Sequence, residues 1–249
     1  MLPLIFLLGS TASGKGTLGA RLAAEFGLYH LSIGDEYRAA KQAARTAIPE
    51  MPDEINRYLI DRMEIPPDVL NGVFDRAPFV LQLHNSLMRG QRFDCILFNE
   101  LLQEKITKVM AGKGDLPRAI VLDGLHALSI EDPDDLGYTL RRITPMFSKL
   151  TIHIQCPVNV AKTRYLQRAR SRHHSVERFG RRIKTHYQTL PRFLEELQNR
   201  GVVVDTVNDD TMTVDEAFRI LSEKLDEVPE WNLLIGGSAR QGPVENYTS

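Results

Sequence analysis

Residues 9–17 read GSTASGKGT and follow the apolar run PLIFLL at 3–8. Glycines at both ends of a short loop, a lysine and a hydroxyl residue are what a phosphate group needs. The backbone can curl until its N–H groups point inward, the lysine supplies a mobile cation, and the hydroxyl offers an oxygen to a metal ion. The general pattern G-x-x-x-x-G-K-[ST] puts the hydroxyl directly after the lysine. Here Gly16 follows Lys15 and the hydroxyl comes one position late, at Thr17. Gly9, Ser13, Gly14, Lys15, Gly16 and Thr17 are the candidate nucleotide-binding residues, with Lys15 able to reach the terminal phosphates. A glycine-rich turn without function could carry the same nine letters. The motif, however, demands a strand before it and a helix after it, and the flanks supply both. After the loop, Leu18, Leu22, Ala23 and Phe26 share one helical face, and Gly27 suits the helix end.

A magnesium ion on the phosphates also needs a carboxylate from a neighbouring strand, and AIVLD ends one at Asp123. An aspartate in that place is commonly a turn former or a helix cap, so Asp123 takes its metal-side meaning from the loop upstream. A second cluster lies at 162–184, where Lys162, Arg164, Arg168, Arg170, Arg172, Arg178, Arg181, Arg182 and Lys184 are opposed only by Glu177. Such a run can be a solvated face, a nucleic-acid patch, or a set of guanidinium groups around a transferring phosphoryl group. Only Tyr165 and Phe179 interleave with it, which leaves little for stacking single-stranded bases. Beside a phosphate loop the third use is favoured and nucleic acid is not. His126 and the pair His173–His174 could be metal ligands or acid–base groups, but phosphate chemistry asks for cations more than for proton transfer.

The elements that must position these residues alternate. Strand-length apolar runs at 3–8, 28–31, 118–122, 149–155 and 201–207 are separated by segments of helical period. Phe98, Leu101, Leu102, Ile106, Val109 and Met110 repeat at helical spacing, as do Val214, Ala217, Phe218, Leu221 and Leu225, the latter behind a Thr213–Glu216 capping box. The pattern predicts an α/β fold of three layers, a five-stranded and mainly parallel sheet between helices, in one domain over 1–225. Residues 36–98 are long, helical in character and broken by Pro49, Pro52, Pro66, Pro67 and Pro78. They read as an enlarged insertion over the sheet edge. The basic stretch 168–182 reads as a short mobile lid, and 226–249, rich in turn formers, as a flexible tail.

Bulk composition narrows the class without choosing a function. A chain of 249 residues with 43% hydrophobic residues, 25% charged residues and a net charge of −1 is an ordinary globular protein that needs neither nucleic acid nor an anionic membrane as partner. Cys95 and Cys156 are the only cysteines and make no metal-ligand pattern, so both read as free thiols in a reducing compartment. The apolar N-terminus lacks a basic start and a small-residue cleavage site, and no run approaches the ~18 apolar residues of a membrane span. A cytoplasmic protein without membrane contact is the expectation.

At this point the chain resembles the nucleoside monophosphate kinases of the adenylate kinase and UMP-CMP kinase type. GKGT with its late hydroxyl is that family's form of the loop. HLSIGDEYR at 30–38 is similar to the family's HLSTGDLLR. SLMRGQRFDCILFNELLQEKI at 86–106 resembles its KGQLVP segment and the helix behind it, sharing Gly90 and Gln91. VLDG at 121–124 matches the start of DGFPR, Arg164, Leu166 and Arg168 match R-x-L-x-R, and RRIKTHYQTLPRF at 181–193 resembles the helix after the lid. The resemblance runs in order from about residue 3 to 225 and implies a phosphate-loop kinase fold that moves the γ-phosphoryl group of ATP, with magnesium, to a nucleoside monophosphate. Lys15 and the loop amides would hold the donor's β- and γ-phosphates, and Thr17 and Asp123 would hold magnesium through water. Arg164 would flank the donor base, and Arg168, Arg172 and Arg182 would neutralise the transferring group, with Arg170 or Arg178 as alternatives to Arg172. Gly34, Arg38, Gly90, Gln91 and Gly124 would form the acceptor side, with Arg38 on the acceptor's phosphate. A monomer is the family expectation.

The departures lie on the acceptor side. DGFPR is here Asp123-Gly124-Leu125-His126-Ala127, so the arginine that grips the acceptor phosphate is missing. Loss of one such charge-assisted contact removes ~1.5–3 kcal/mol of binding. Ile33 replaces the LSTGD threonine, Glu131 falls where the family has an adenine-reading glutamine, and His173–His174 replaces the lid's aspartates. Two other uses therefore stay open: a nucleotide-binding relative with impaired catalysis that acts as a regulatory module, and a kinase of another small metabolite.

Overall fold

In a computed structural model the protein is described over residues 2–36, 95–112, 116–124, 147–168 and 175–236. Contacts divide the chain into two compact units. One comprises Met1–Ser32, Gly114–His126 and Ile143–Ser249; the other comprises Ile33–Lys113 and Ala127–Arg142.

The first unit is built on five strands: β1 (Leu4–Gly9), β2 (Tyr29–Ser32), β3 (Ile120–Asp123), β4 (Phe147–Gln155) and β5 (Val202–Val207). Each falls where the apolar runs predict one. They form a single sheet of order β2-β3-β1-β4-β5, and every pairing is parallel. Parallel strands need covered faces, which is why LIFLLG is apolar throughout and buried at every position. On one face Ile5, Leu7, Val121, Ile152, Ile154 and Val204 pack with Leu18 and Leu22 of α1 (Lys15–Phe26) and Phe218, Leu221 and Leu225 of a later helix. A smaller cluster of Ala12, Cys156, Val160, Ala161, Tyr165 and Phe179 joins α3 (Val158–Gln167) to α4 (Val176–Gln198). The later helix, α5 (Val214–Asp226), starts at the Thr213–Glu216 capping box, with both reciprocal bonds formed. It is tied to α1 by an Arg21–Asp215 ion pair, and the Arg21 guanidinium lies 4.3 Å above the Phe218 ring.

The stretch that reads as a flexible tail contains a further helix, α6 (Pro229–Ile235), whose Trp231 is fully buried against the main core. The Trp231 indole meets the Phe26 ring edge-on at 4.9 Å, and Arg118 donates to the carbonyl of Ile235, capping the helix end. A seven-residue helix has too few turns to show a period, so only its packing reveals it. The remainder of that tail, 237–249, lies outside the described residues. Of the stretch 168–182 that reads as a lid, Arg168 ends α3 and Val176 onward belongs to α4, capped by the Ser175 hydroxyl accepting from the Arg178 amide at 3.2 Å, while 169–174 lie outside the described residues.

In the second unit, residues 33–36 turn helically after β2, and α2 (Cys95–Met110) supplies the predicted amphipathic helix with Leu102 and Ile106 buried. Lys105 pairs with Glu36. The rest of the 36–98 insertion lies outside the described residues.

Strand β4 carries a bulge. Leu4 pairs with Phe147 and Phe6 with Thr151, so β4 spends extra residues there, and exposed Lys149 takes φ 62°. Left-handed backbone costs an L-residue ~1–2 kcal/mol. Lys149→Gly is expected to raise the unfolding free energy by about 0.5–1 kcal/mol in urea titrations once glycine's own entropy cost is set against the relieved strain.

Candidate functional site

The sheet order reverses at β1, which pairs with β3 on one side and β4 on the other. In open parallel sheets that switch point, at the carboxyl ends of the strands, is where a crevice for ligand opens. The loop of residues 9–14 emerges there. Gly9 has φ 149°, and a Cβ on it would lie 2.5 Å from the Ile154 carbonyl oxygen. Gly14 caps α1 with φ 99° and offers no side-chain acceptor, so no side chain caps the amides of Lys15 and Gly16, while the Thr17 amide donates to the Gly14 carbonyl at 3.0 Å. No acidic residue stands in the first turn to compete for them.

Lys15 is 6% exposed and folds back over the loop, donating to the carbonyls of Gly9 at 2.9 Å and Ser10 at 2.7 Å. Burial lowers its pKa; the negative charge of Asp123 acts the other way, and the charges of Arg168 and Arg182 lower it further. The loop lysine, the β3 aspartate and two of the predicted arginines therefore share one electrostatic field. Asp123 sits level with Leu7 of β1 and is 9% exposed. Arg182 reaches the loop directly, its guanidinium donating to the Thr11 hydroxyl at 3.3 Å. Ser10 and Ser13 have buried hydroxyls without a partner, and Gly16 and Thr17 are exposed on the first turn of α1.

Arg164 is placed otherwise than a free base clamp. Its guanidinium donates to the carbonyls of Asn208 at 3.2 Å and Asp209 at 2.6 Å, to the Asn208 side-chain oxygen at 3.3 Å, and touches the Cys156 sulfur at 3.7 Å. These bonds use the edges of the group, and stacking on its faces stays compatible with them. Of the acceptor-side residues, Gly34 lies in the helical turn after β2 and Gly124 directly follows β3. Arg38, Gly90, Gln91 and Arg172 lie outside the described residues, as do His126, Ala127, Glu131, His173 and His174. Cys156 is a free, buried thiol whose pKa is raised by burial.

Sequence reasoning overlooks three features. Asn208 bridges β5 and the loop. His153 on β4 pairs with Asp205 on β5 at 2.7 Å. A cavity of about 400 Å³ opens beside the loop, lined by Ser10, His153, Gln155, His186, Tyr187 and Leu190 among others. The only available signal is position: each polar residue stands at or near the carboxyl end of a parallel strand or on the helix that covers it.

His186 lines that cavity and is 8% exposed; burial first, then the charges of Lys15 and His153, lower its pKa from 6.5 to about 4. The folded state keeps the imidazole neutral while the unfolded chain takes up a proton near pH 6.5. Stability is thus present above that pH and is lost as the pH falls toward 4, by up to about 3 kcal/mol. Urea unfolding of the wild type should weaken more between pH 7 and 4.5 than that of His186→Gln. Equal slopes would show that His186 titrates freely.

The comparisons with known proteins point to one group. An adenylate kinase of Anaeromyxobacter sp. (strain Fw109-5) is 26% identical over 151 residues, 54% of this chain and 69% of that protein. An adenylate kinase of Streptomyces avermitilis is 32% identical over 126 residues, 44% of this chain and 57% of its own length. The UMP-CMP kinase of Gallus gallus is 28% identical over 119 residues, 48% and 59% of the two chains.

The chain is similar in sequence to nucleoside monophosphate kinases.

No family model matches the chain. Its five-stranded parallel sheet, with the loop at the reversal point, is the α/β architecture expected of a phosphate-loop kinase. Each shared stretch stops short of the relative's full length, so the similarity leaves the substrate open. Among the described residues no helix is long and apolar enough to cross a membrane.

Proposed function

We propose that the protein is an ATP-dependent phosphotransferase whose acceptor is a nucleoside monophosphate. The observation that carries this reading is Lys15, buried in its glycine loop with Asp123, Arg168 and Arg182 all acting on its charge. Its ammonium donates to the Gly9 and Ser10 carbonyls. On binding, it exchanges those two carbonyls for phosphate oxygens, while the loop amides and the N-terminus of α1 hold the β- and γ-phosphates. Arg168 and Arg182, at the end of α3 and on the second turn of α4, neutralise charge on the group in transfer, and Arg172 completes the set. Arg164 flanks the donor base. The acceptor nucleophile is a phosphate oxygen, so the chain needs no strong general base, and catalysis is positioning with charge stabilisation.

The donor set also fits magnesium. A hydroxyl at Thr17 and a carboxylate at Asp123 are hard oxygen donors, and magnesium takes one or two protein oxygens with the substrate's phosphates and water. When bound, the ion withdraws charge from the phosphates in transfer.

A second reading is favoured by one observation, Ala127 where the family carries an arginine. It is a relative that binds nucleotide without useful turnover. The test incubates the protein with Mg-ATP and AMP, CMP, UMP, GMP or the deoxynucleotides and follows ADP formation. Turnover dependent on one monophosphate supports the kinase. ATP binding with no acceptor-dependent turnover sinks it and favours the second reading, and turnover only with a metabolite that is not a nucleotide redirects the acceptor class.

A further inference from the structure

We infer that Asn208 is a positioning residue of the phosphate loop, joining Ser13 of the loop and Arg164 of α3 into one hydrogen-bonded unit; this rests on the kinase reading above. Asn208 directly follows β5 and is 8% exposed. Its own amide donates to the Gln155 carbonyl at 2.9 Å, which adds a rung to the β4–β5 ladder and fixes its backbone to the sheet. From there its Nδ2 donates to the Ser13 carbonyl at 2.8 Å, a contact between residues 195 positions apart. Its Oδ1 accepts from Arg164 at 3.3 Å, and its main-chain oxygen accepts from the same guanidinium at 3.2 Å.

Chemistry fixes the direction of that side chain. Ser13 presents a carbonyl, which only accepts, and a guanidinium only donates. A flipped amide would set oxygen against oxygen and N–H against N–H, so the order Ser13–Asn208–Arg164 has one satisfied orientation. The loop is shaped to receive it. A Cβ on Gly14 would lie 2.1 Å from the Asn208 nitrogen, so the amide lies directly against the residue that starts α1. The cradle that binds phosphate is therefore held from the edge strand of the sheet, and the arginine on the base side is anchored by the same residue. Neither serine hydroxyl in the loop has a partner to share this task.

The experiment compares wild type, Asn208→Asp and Asn208→Ser by calorimetric binding of Mg-ATP and of Mg-tripolyphosphate, which has no base, with melting temperatures measured alongside. The aspartate keeps an acceptor for Arg164 but faces Ser13 with a carboxylate. The serine is too short for both contacts. Leaving the Ser13 carbonyl without its donor should weaken both ligands about tenfold or more in both variants. The loss on tripolyphosphate is what a role confined to Arg164 and the base would not produce. If Asn208→Asp binds tripolyphosphate as wild type does, the inference is overturned while the kinase reading stands. If wild type binds neither ligand, both fall together.

Discussion

Lys15→Met is expected to leave a folded protein that has lost phosphoryl transfer. Removing a single charged donor aimed at the developing charge of a transition state costs about 10²–10³-fold in turnover, and Lys15 is the only lysine of the loop. The stability effect runs the other way. The ammonium is almost fully buried, its pKa is lowered by that burial, and two cationic arginines press on it. Methionine has a similar length, carries no charge to desolvate, and loses only the bonds to two loop carbonyls. The melting temperature should stay level or rise while acceptor-dependent ADP formation disappears, the signature of a residue held for function against stability. A variant that keeps its turnover would show that the loop does not hold the transferring phosphates. One that loses activity only because it melts several degrees lower would show Lys15 to be structural.

Trp231→Ala should be the most damaging change outside the site. The indole is fully buried, packs edge-on against Phe26 of α1, and belongs to the cluster under the main sheet. Truncating a buried tryptophan leaves a large cavity and typically costs 3–5 kcal/mol, a sizeable share of the 5–15 kcal/mol that holds a domain together. Equilibrium urea unfolding checks the magnitude. The chain has one tryptophan, so its fluorescence in the wild type reports α6 undocking without any label. A loss below about 1 kcal/mol would mean that α6 contributes little to the core.

Local order in the chain dictated much of this. PLIFLL, GSTASGKGT and the Leu18–Phe26 face announce a strand, a phosphate loop and a helix because each obeys a rule spanning fewer than about fifteen residues. The same holds for the other four strands, for the Thr213–Glu216 box and for Asp123 at a strand end. The stretches that resemble the family's acceptor segments are readable only as departures: Ala127 for an arginine, Ile33 for a threonine.

What tertiary structure alone decided is which distant residues meet. PEWNLLI is too short to have a period, and it is a helix because Trp231 finds Phe26 across the fold and Arg118 finds its last carbonyl. Asn208 is one polar letter after VVVDTV until the order β2-β3-β1-β4-β5 carries it beside the loop. His186 is one letter in RRIKTHYQTLPRF until the fold buries it and lowers its pKa. Arg164 reads only as one arginine of a basic run that resembles the family's base-flanking position, and the Asn208 and Asp209 carbonyls that hold its edges come from across the fold. The sequence determined the donor-side reading because that motif is contiguous. The supports of that motif depend on strands well separated along the chain, and a neighbour in space leaves no mark on the letters beside it.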